Sequence, residues 1–353
     1  MGSYKTNLVI RTDAGTRIGM GHLMRCLALA QAWKDDGGQV VFITACQGES
    51  LLQRLREEKF DIHVLGHSHP DSTDWDCTKN ILAAYPSAWV VLDGYHFDEV
   101  YHQRVKEAEH RLLVIDDRAH LKHYYADILL NQNLHAEQLR YSCEPYTRLL
   151  LGTHYVLLRG EFLGWKDWRR DIPEVAGRVL VTLGGGDPEN HTLKVIQALG
   201  KIDVPGLEAS VVVGASNPHA DVLEAAIGQS HIPIRLIRNA ENMPELMAWA
   251  DVAVSAAGST VWELMFMGMP AILISVADNQ KRIAERAEDS SAAIHVNHRS
   301  AGWYENTADA LQSLILDAKM RSTFSYEGRS LVDGLGRTRV IEAIRAMRIE
   351  GTY

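Results

Sequence analysis

Twice in this chain a short apolar strand runs directly into glycines and then into a helical pattern. The first case is Asn7-Leu-Val-Ile-Arg11 followed by a loop with Gly15, Gly19 and Gly21, then Leu23, Leu27, Ala30 and Trp33 at helical spacing. The second is Arg178-Val-Leu-Val-Thr-Leu183, then Gly184-Gly185-Gly186 and a helix from Asn190. A strand, a glycine turn and a helix in that order place backbone N–H groups and a positive helix end at the carboxyl edge of a parallel sheet. Neither segment spells the dinucleotide fingerprint G-x-G-x-x-G.

The rhythm between these anchors is that of an α/β protein. Strands are expected at 7–11, 39–44, 61–65, 88–93, 111–116 and 127–131, with helices near 22–35, 50–59, 72–85 and 98–110. The second half adds strands at 178–183, 209–213, 233–237, 252–255, 271–275 and 293–295, and helices at 304–318 and 337–348. The segment Gly164-Trp-Lys-Asp-Trp-Arg-Arg-Asp-Ile-Pro173 follows no period and reads as a crossing. The expected domains are therefore 1–162 and 178–353, joined by 163–177, with the last helix placed to pack back on the first domain. Two Rossmann-like parallel sheets facing each other across a cleft is the expected architecture.

Composition narrows the function classes. A net charge of −9 argues against a nucleic-acid partner, whose affinity depends on clustered Lys and Arg. Cysteines 26, 46, 77 and 143 form neither a C-x-x-C pair nor a compact disulfide frame, which fits a reducing cytoplasm. The apolar runs are too short to span a bilayer, so no stable membrane association is expected. His63, His67 and His69, and likewise His120 and His123, lack metal-ligand spacing. No metal site and no cofactor are expected.

Four constellations sit where chemistry would sit. His22 opens a helix, where the dipole disfavours the imidazolium, so it reads as a neutral base able to activate water, with Asp13 on the same loop to orient the ring. Alternatively His22 only caps or packs. Gly184 and Gly185 with Gly186 read equally as a diphosphate cradle or a tight turn, with Asp187 at an N-cap and Pro188 in the first helical turn. Gly258-Ser259-Thr260 with Glu263 describes a capping box, or a turn and carboxylate for diphosphate and ribose. Asn279 and Gln280 follow a strand and suit sugar hydroxyls or acetamido groups, although Asp278 or Asn279 would serve equally as a helix cap. Asp93, Asp116 and Asp117 each close a strand at the carboxyl edge.

The ordered set of motifs resembles the UDP-2,4-diacetamido-2,4,6-trideoxy-β-L-altropyranose hydrolases of pseudaminic acid biosynthesis, which are related to GT-B glycosyltransferases such as MurG. The segments are Arg11-Thr-Asp13, Gly19-Met-Gly21-His22-Leu-Met-Arg25, Leu92-Asp-Gly-Tyr95, Ile115-Asp-Asp117, Ile128-Leu-Leu-Asn-Gln-Asn133 and Tyr155-Val-Leu-Leu-Arg159-Gly-Glu-Phe162. They continue with Leu183-Gly-Gly-Gly-Asp187, Val211-Val-Val-Gly-Ala-Ser-Asn-Pro218, Gly258-Ser-Thr-Val-Trp-Glu263 and Ala277-Asp-Asn-Gln280. Departures fall at Ala14-Gly15, Gly160, Val261 and Leu264-Met-Phe-Met.

The resemblance implies a GT-B-like fold and a metal-independent hydrolase that needs no cofactor. It implies His22 as the key catalytic residue, with Tyr95 near the sugar phosphate, Glu263 on the uridine ribose, the Gly-Ser-Thr turn on the diphosphate, and Asn279 and Gln280 on the amino sugar. Arg11, Gly19, Gly21 and Arg25 accompany the histidine loop. The implied substrate is a UDP-diacetamido-trideoxyhexose, with UDP as product and a flagellin, capsule or lipopolysaccharide glycan downstream, and a monomer is expected. Rival readings are an inverting GT-B glycosyltransferase and a non-catalytic nucleotide-sugar binding module.

Overall fold

The structure, a computed structural model, describes residues 7–15, 20–46, 48–214 and 217–349. The chain forms two compact units, one of residues 1–160 with 335–353 and one of residues 161–334.

The first unit is built in chain order from β1 (Asn7–Thr12), α1 (Gly21–Asp35), β2 (Gln39–Thr44), α2 (Glu49–Glu57), β3 (Asp61–Val64), α3 (Ser72–Leu82) and β4 (Trp89–Asp93). It continues with α4 (Glu99–Glu107), β5 (Arg111–Ile115), β6 (Ile128–Asn131) and β7 (Arg148–Leu151). The strands form one parallel sheet in the order β3-β2-β1-β4-β5-β6-β7. Leu8, Val9 and Ile10 are all fully buried, which explains why β1 reads as a continuous apolar run: a parallel strand with both faces covered has no solvent side. One face packs Leu8 and Ile10 against Leu23 and Leu27 of α1, and the other packs Val9, Val90 and Leu92 with Tyr101 and Val105 of α4.

The short helix α5 (Gly160–Leu163) precedes the second unit. That unit contains β8 (Arg178–Thr182), α6 (His191–Leu199), β9 (Glu208–Val213), α7 (Ala220–Gly228), β10 (Ile234–Arg238), α8 (Met243–Trp249), β11 (Val252–Ala256) and α9 (Thr260–Phe266). It closes with β12 (Ala271–Ser275), α10 (Asp278–Asp289), β13 (Ile294–Asn297), α11 (Trp303–Leu316) and α12 (Ala318–Leu331). Its parallel sheet runs β10-β9-β8-β11-β12-β13.

The last helix, α13 (Gly336–Ile349), returns to the first unit. Val340, Ile341 and Ile344 join the same core as α1, and Arg337 donates to Asp35 Oδ2 at 2.9 Å. Gly336 allows the return: a Cβ there would lie 2.2 Å from the Val156 carbonyl oxygen. Sequence boundaries of 1–162 and 178–353 differ from these units because hydrophobic burial, not chain order, decides where the final helix packs. The 163–177 segment is held to the second unit by Arg170, which donates to the carbonyls of Gly268 at 3.0 Å and Met247 at 2.7 Å, and by Arg321 to Glu174 at 3.0 Å.

Five of these elements escape the periodicity analysis, among them the short α5. β7 is a short edge strand, RLLL, with Leu149 exposed. The sequence expectation also places no helix at α7, α8 or α12. In α12, Gly328 and several Ser and Thr residues weaken the local helical signal. Tertiary packing overrides it, because a Cβ at Gly328 would lie 3.3 Å from Met265 Cα, so the glycine lets α12 lie close on α9.

Candidate functional site

In the first sheet the strand order reverses between β1 and β4, which are hydrogen-bonded neighbours with Thr12 opposite Asp93. Open α/β sheets bind ligands outside the carboxyl ends of the strands at such a reversal. Asp93 is the last residue of β4 and is fully buried. His22 lies in the first turn of α1, and Arg25 one turn on shares its face.

These three side chains interlock. His22 Nδ1 is 2.6 Å from Asp93 Oδ1, while Arg25 donates to Asp93 through Nε at 2.6 Å and Nη2 at 2.7 Å. Burial would push the Asp93 carboxyl up, but the Arg25 charge and then His22 hold it well below the usual carboxylate range. A carboxylate only accepts, so a proton sits on His22 Nδ1, and in the neutral tautomer this leaves the lone pair on Nε2.

Arg25 reaches Asp117 as well, with Nη1 2.8 Å from both oxygens. Asp117 also accepts from the Tyr95 hydroxyl at 2.9 Å and Asn133 Nδ2 at 2.8 Å. The Tyr95 ring meets the His22 ring edge-on with centroids 4.9 Å apart. Arg25 therefore links two carboxylates, one fixing the imidazole and the other the phenol. Cys26 Sγ lies 3.5 Å from Asp93, and burial followed by the Asp93 charge pushes its thiol well up, so it offers no ready thiolate.

Asp13 occupies a different network, which corrects its expected role. Its carboxylate accepts from Arg11, from Ser68 at 2.5 Å and from the Ala45 amide at 2.6 Å, and His96 Nε2 lies 3.0 Å away. Arg11 is fully buried between Asp13 and Asp74, and Tyr101 donates to Asp74 at 2.8 Å. Burial would raise the Asp13 carboxyl, but His96 and then Arg11 hold it far below its ordinary value. Asp93, the last residue of β4, takes the ring, while the Asp13 carboxylate is occupied by Arg11, Ser68, the Ala45 amide and His96. Gly21 is the first residue of α1, whereas Gly19 lies outside the described residues.

The second sheet reverses between β8 and β11. Gly184 follows β8 with φ +92°, a conformation that favours glycine. Gly185 lies under the next loop, its carbonyl accepting from Gly214 N at 3.1 Å, and a Cβ on Gly214 would clash at 2.3 Å. Pro188 lies before the helix and not in its first turn, since α6 begins at His191. Asp187 still caps it from a distance, accepting from His191 N at 2.9 Å and Thr192 N at 2.8 Å.

After β11, Ser259 is the N-cap of α9 without a side-chain cap bond, so the expected capping box does not form on its side. Gly258, Ser259, Thr260 and Glu263 are partly exposed. Neither Asp278 nor Asn279 caps α10; the N-cap is Ala277, Asp278 pairs with Arg299 at 2.7 Å, and Asn279 is exposed. Gln280 accepts from Val276 N at 3.1 Å, and its Nε2 lies 3.7 Å from where a Gly258 Cβ would stand. The fold thus brings Gln280 to the Gly258 turn.

Asp93, Asp117 and Asn133 complete the first site without having been singled out as site residues. Their signal was present, since each lies at or just beyond the end of a strand on the carboxyl edge. Glu189, His191 and His298, not grouped by linear spacing, are brought together by tertiary folding, with one ligand atom of each within 4.8 Å of the others. No helix among the described residues is long and apolar enough to cross a membrane.

Residues 188–330 match the glycosyltransferase family 28 C-terminal domain. An uncharacterized protein of Methanocaldococcus jannaschii is 26% identical over 305 residues, covering 84% of this chain and 61% of that protein, so the chain spans under two thirds of that relative. The spore coat polysaccharide biosynthesis protein SpsG of Bacillus subtilis is 23% identical over 94% of this chain and 95% of its own length. The UDP-2,4-diacetamido-2,4,6-trideoxy-β-L-altropyranose hydrolase of Campylobacter jejuni is 25% identical over 78% of this chain and 94% of its own. Among solved structures, MurG of Acinetobacter baumannii has a TM-score of 0.67 at 15% identity, covering 97% of this chain and 99% of that one. The Anabaena protein HepE, solved with UDP-glucose, has a TM-score of 0.60 at 13% identity over 96% and 99%. The chain therefore has the α/β fold of the GT-B glycosyltransferases, two Rossmann-like domains each on its own parallel sheet, and carries a family 28-type C-terminal segment.

Proposed function

We propose that this protein is a nucleotide-sugar hydrolase that removes UDP from a UDP-2,4-diacetamido-2,4,6-trideoxyhexose, as the name of the Campylobacter relative suggests, in nonulosonic acid biosynthesis. The observation that carries the reading is the His22–Asp93 pair at the β1/β4 reversal, braced by Arg25, Asp117 and Tyr95.

Water attacks the anomeric carbon, the bond from that carbon to the diphosphate oxygen breaks, and UDP leaves with the electron pair. The water proton passes to His22 Nε2, and Asp93 stabilises the imidazolium that forms. Attack opposite the leaving group inverts the anomeric centre. Gly184, Gly185 and the Gly258–Thr260 turn donate backbone N–H groups to the diphosphate, Glu263 takes the ribose, and Asn279 and Gln280 take the acetamido sugar. Arg25 acts as a positioning residue. Diphosphate is a good leaving group, so this scheme routes no step through a metal.

The test is UDP release from the UDP-diacetamido sugar with water as the only acceptor. Turnover lost in His22→Ala, with UDP affinity retained, is expected; full activity in that variant overturns the assignment. In ¹⁸O-water the label enters the free sugar, and label in UDP contradicts attack at carbon. A second reading, an inverting glycosyltransferase, is favoured by the family 28 match over 188–330. It predicts UDP release only when an acceptor hydroxyl is supplied.

A further inference from the structure

Glu189, His191 and His298 belong to the second unit and are not used by the proposed hydrolysis. One ligand atom from each lies within 4.8 Å of the others. His191 Nε2 and Glu189 Oε2 are already 3.4 Å apart, and the two histidine rings meet at 5.1 Å. His298 Nδ1 is hydrogen-bonded to the Ser275 carbonyl oxygen. A carbonyl only accepts, so the proton is on Nδ1 and Nε2 carries the lone pair, the orientation seen for metal-bound imidazoles backed by a carbonyl.

Both rings are held by the fold. His191 starts α6, whose first turn is fixed by the Asp187 carboxylate, and its ring stands edge-on to Trp303 at 5.5 Å. His298 directly follows β13 and lines a surface cavity of about 130 Å³ together with Asp278, Lys281 and Arg299. Glu189 is the adaptable member, with 69% of its side chain exposed. Two imidazoles and a carboxylate bound at about 2.0–2.1 Å suit zinc and its neighbours, not magnesium or calcium, which prefer all-oxygen sites.

We propose that the second unit binds one divalent transition-metal ion, zinc by preference, through Glu189, His191 and His298, with solvent in the remaining position. The ion ties the loop between β8 and α6 to the end of β13, and so stiffens the segment that carries Gly184 and Gly185. The site stands independently of the hydrolase reading.

The test is titration of chelator-treated full chain with Zn²⁺ by calorimetry, with Co²⁺ absorption reporting the ligand geometry. One equivalent binds, and Glu189→Ala and His298→Ala each weaken it by at least about tenfold. His191→Ala removes a ring packed on Trp303 and can unfold the region, so Glu189→Ala, an exposed change, is the decisive variant. Its metal-free unfolding curve stays at that of the unmodified chain. Stoichiometric binding unchanged in either Glu189→Ala or His298→Ala, or no stoichiometric Zn²⁺ binding by the unmodified chain, overturns the proposal.

Discussion

The two sheets reverse at equivalent points, yet the residues there differ in kind. The β1/β4 edge is crowded with buried charge: Arg11 between Asp13 and Asp74, and Arg25 between Asp93 and Asp117. The β8/β11 edge presents glycine turns, Gly184 to Gly186 and Gly258 to Thr260 with Gln280 alongside, and carries two carboxylates nearby, Asp187, which accepts from backbone amides of α6, and Glu263. Side-chain charges held in fixed geometry can orient an imidazole and receive a proton. Backbone amides on glycine loops can approach an anion closely without a side chain between. The same topology therefore offers one edge suited to proton transfer and another suited to holding a nucleotide.

The sharpest way to break this contrast is at His22. His22→Ala is expected to lower the rate of UDP release by about 10²–10⁴-fold while UDP affinity changes little, read from kcat and from UDP titration. An equal loss in both would merge the roles of the two edges. Within the charged edge, Asp13→Asn should act on stability, because it leaves Arg11 buried with one partner fewer. About 3–5 kcal/mol is the scale for breaking a buried pair, measured by urea unfolding. Asp93→Asn should instead depress kcat beyond its effect on unfolding; the reverse pattern would exchange the two aspartates' roles.

A titration sharpens the contrast further. Burial pushes the His102 imidazole down to about 4, against the opposing charges of Asp98 and Glu99. The unfolded chain, with an ordinary histidine near 6.5, then binds more protons between about pH 6.5 and 4. Stability is full above that window and falls as pH drops through it, by on the order of 3 kcal/mol for this group. His102→Gln should flatten that slope in urea midpoints measured across pH, and an unchanged slope would remove His102 from the account. The smallest effect belongs to the glycine edge. Gly184→Ala, at φ +92°, should cost about 1 kcal/mol or somewhat more and weaken UDP several-fold without changing the pH profile of kcat.

Much of this was legible in the chain itself. Fully buried parallel strands such as β1 are continuous apolar runs, and the aspartates at strand ends mark the carboxyl edge whatever the strand order. His22 at the start of α1 follows from a glycine loop running into a helical period. Its partner did not follow: Asp13 is near in sequence, and Asp93 is near only because β4 pairs with β1. The capping expectation at Asp278 failed for a related reason, since its carboxylate pairs with Arg299 instead of the helix backbone.

The sequence alone determined the alternation of strands and helices, the two glycine-turn edges and the position of the histidine. These depend on periodicity and backbone freedom, which neighbouring residues set. Only the tertiary structure decided that Asp93 holds His22, that Asp13 belongs to a separate network, and that His191 and His298 meet. Those outcomes depend on strand order and on which apolar faces bury each other, and the free energy of burial carries no record of distance along the chain.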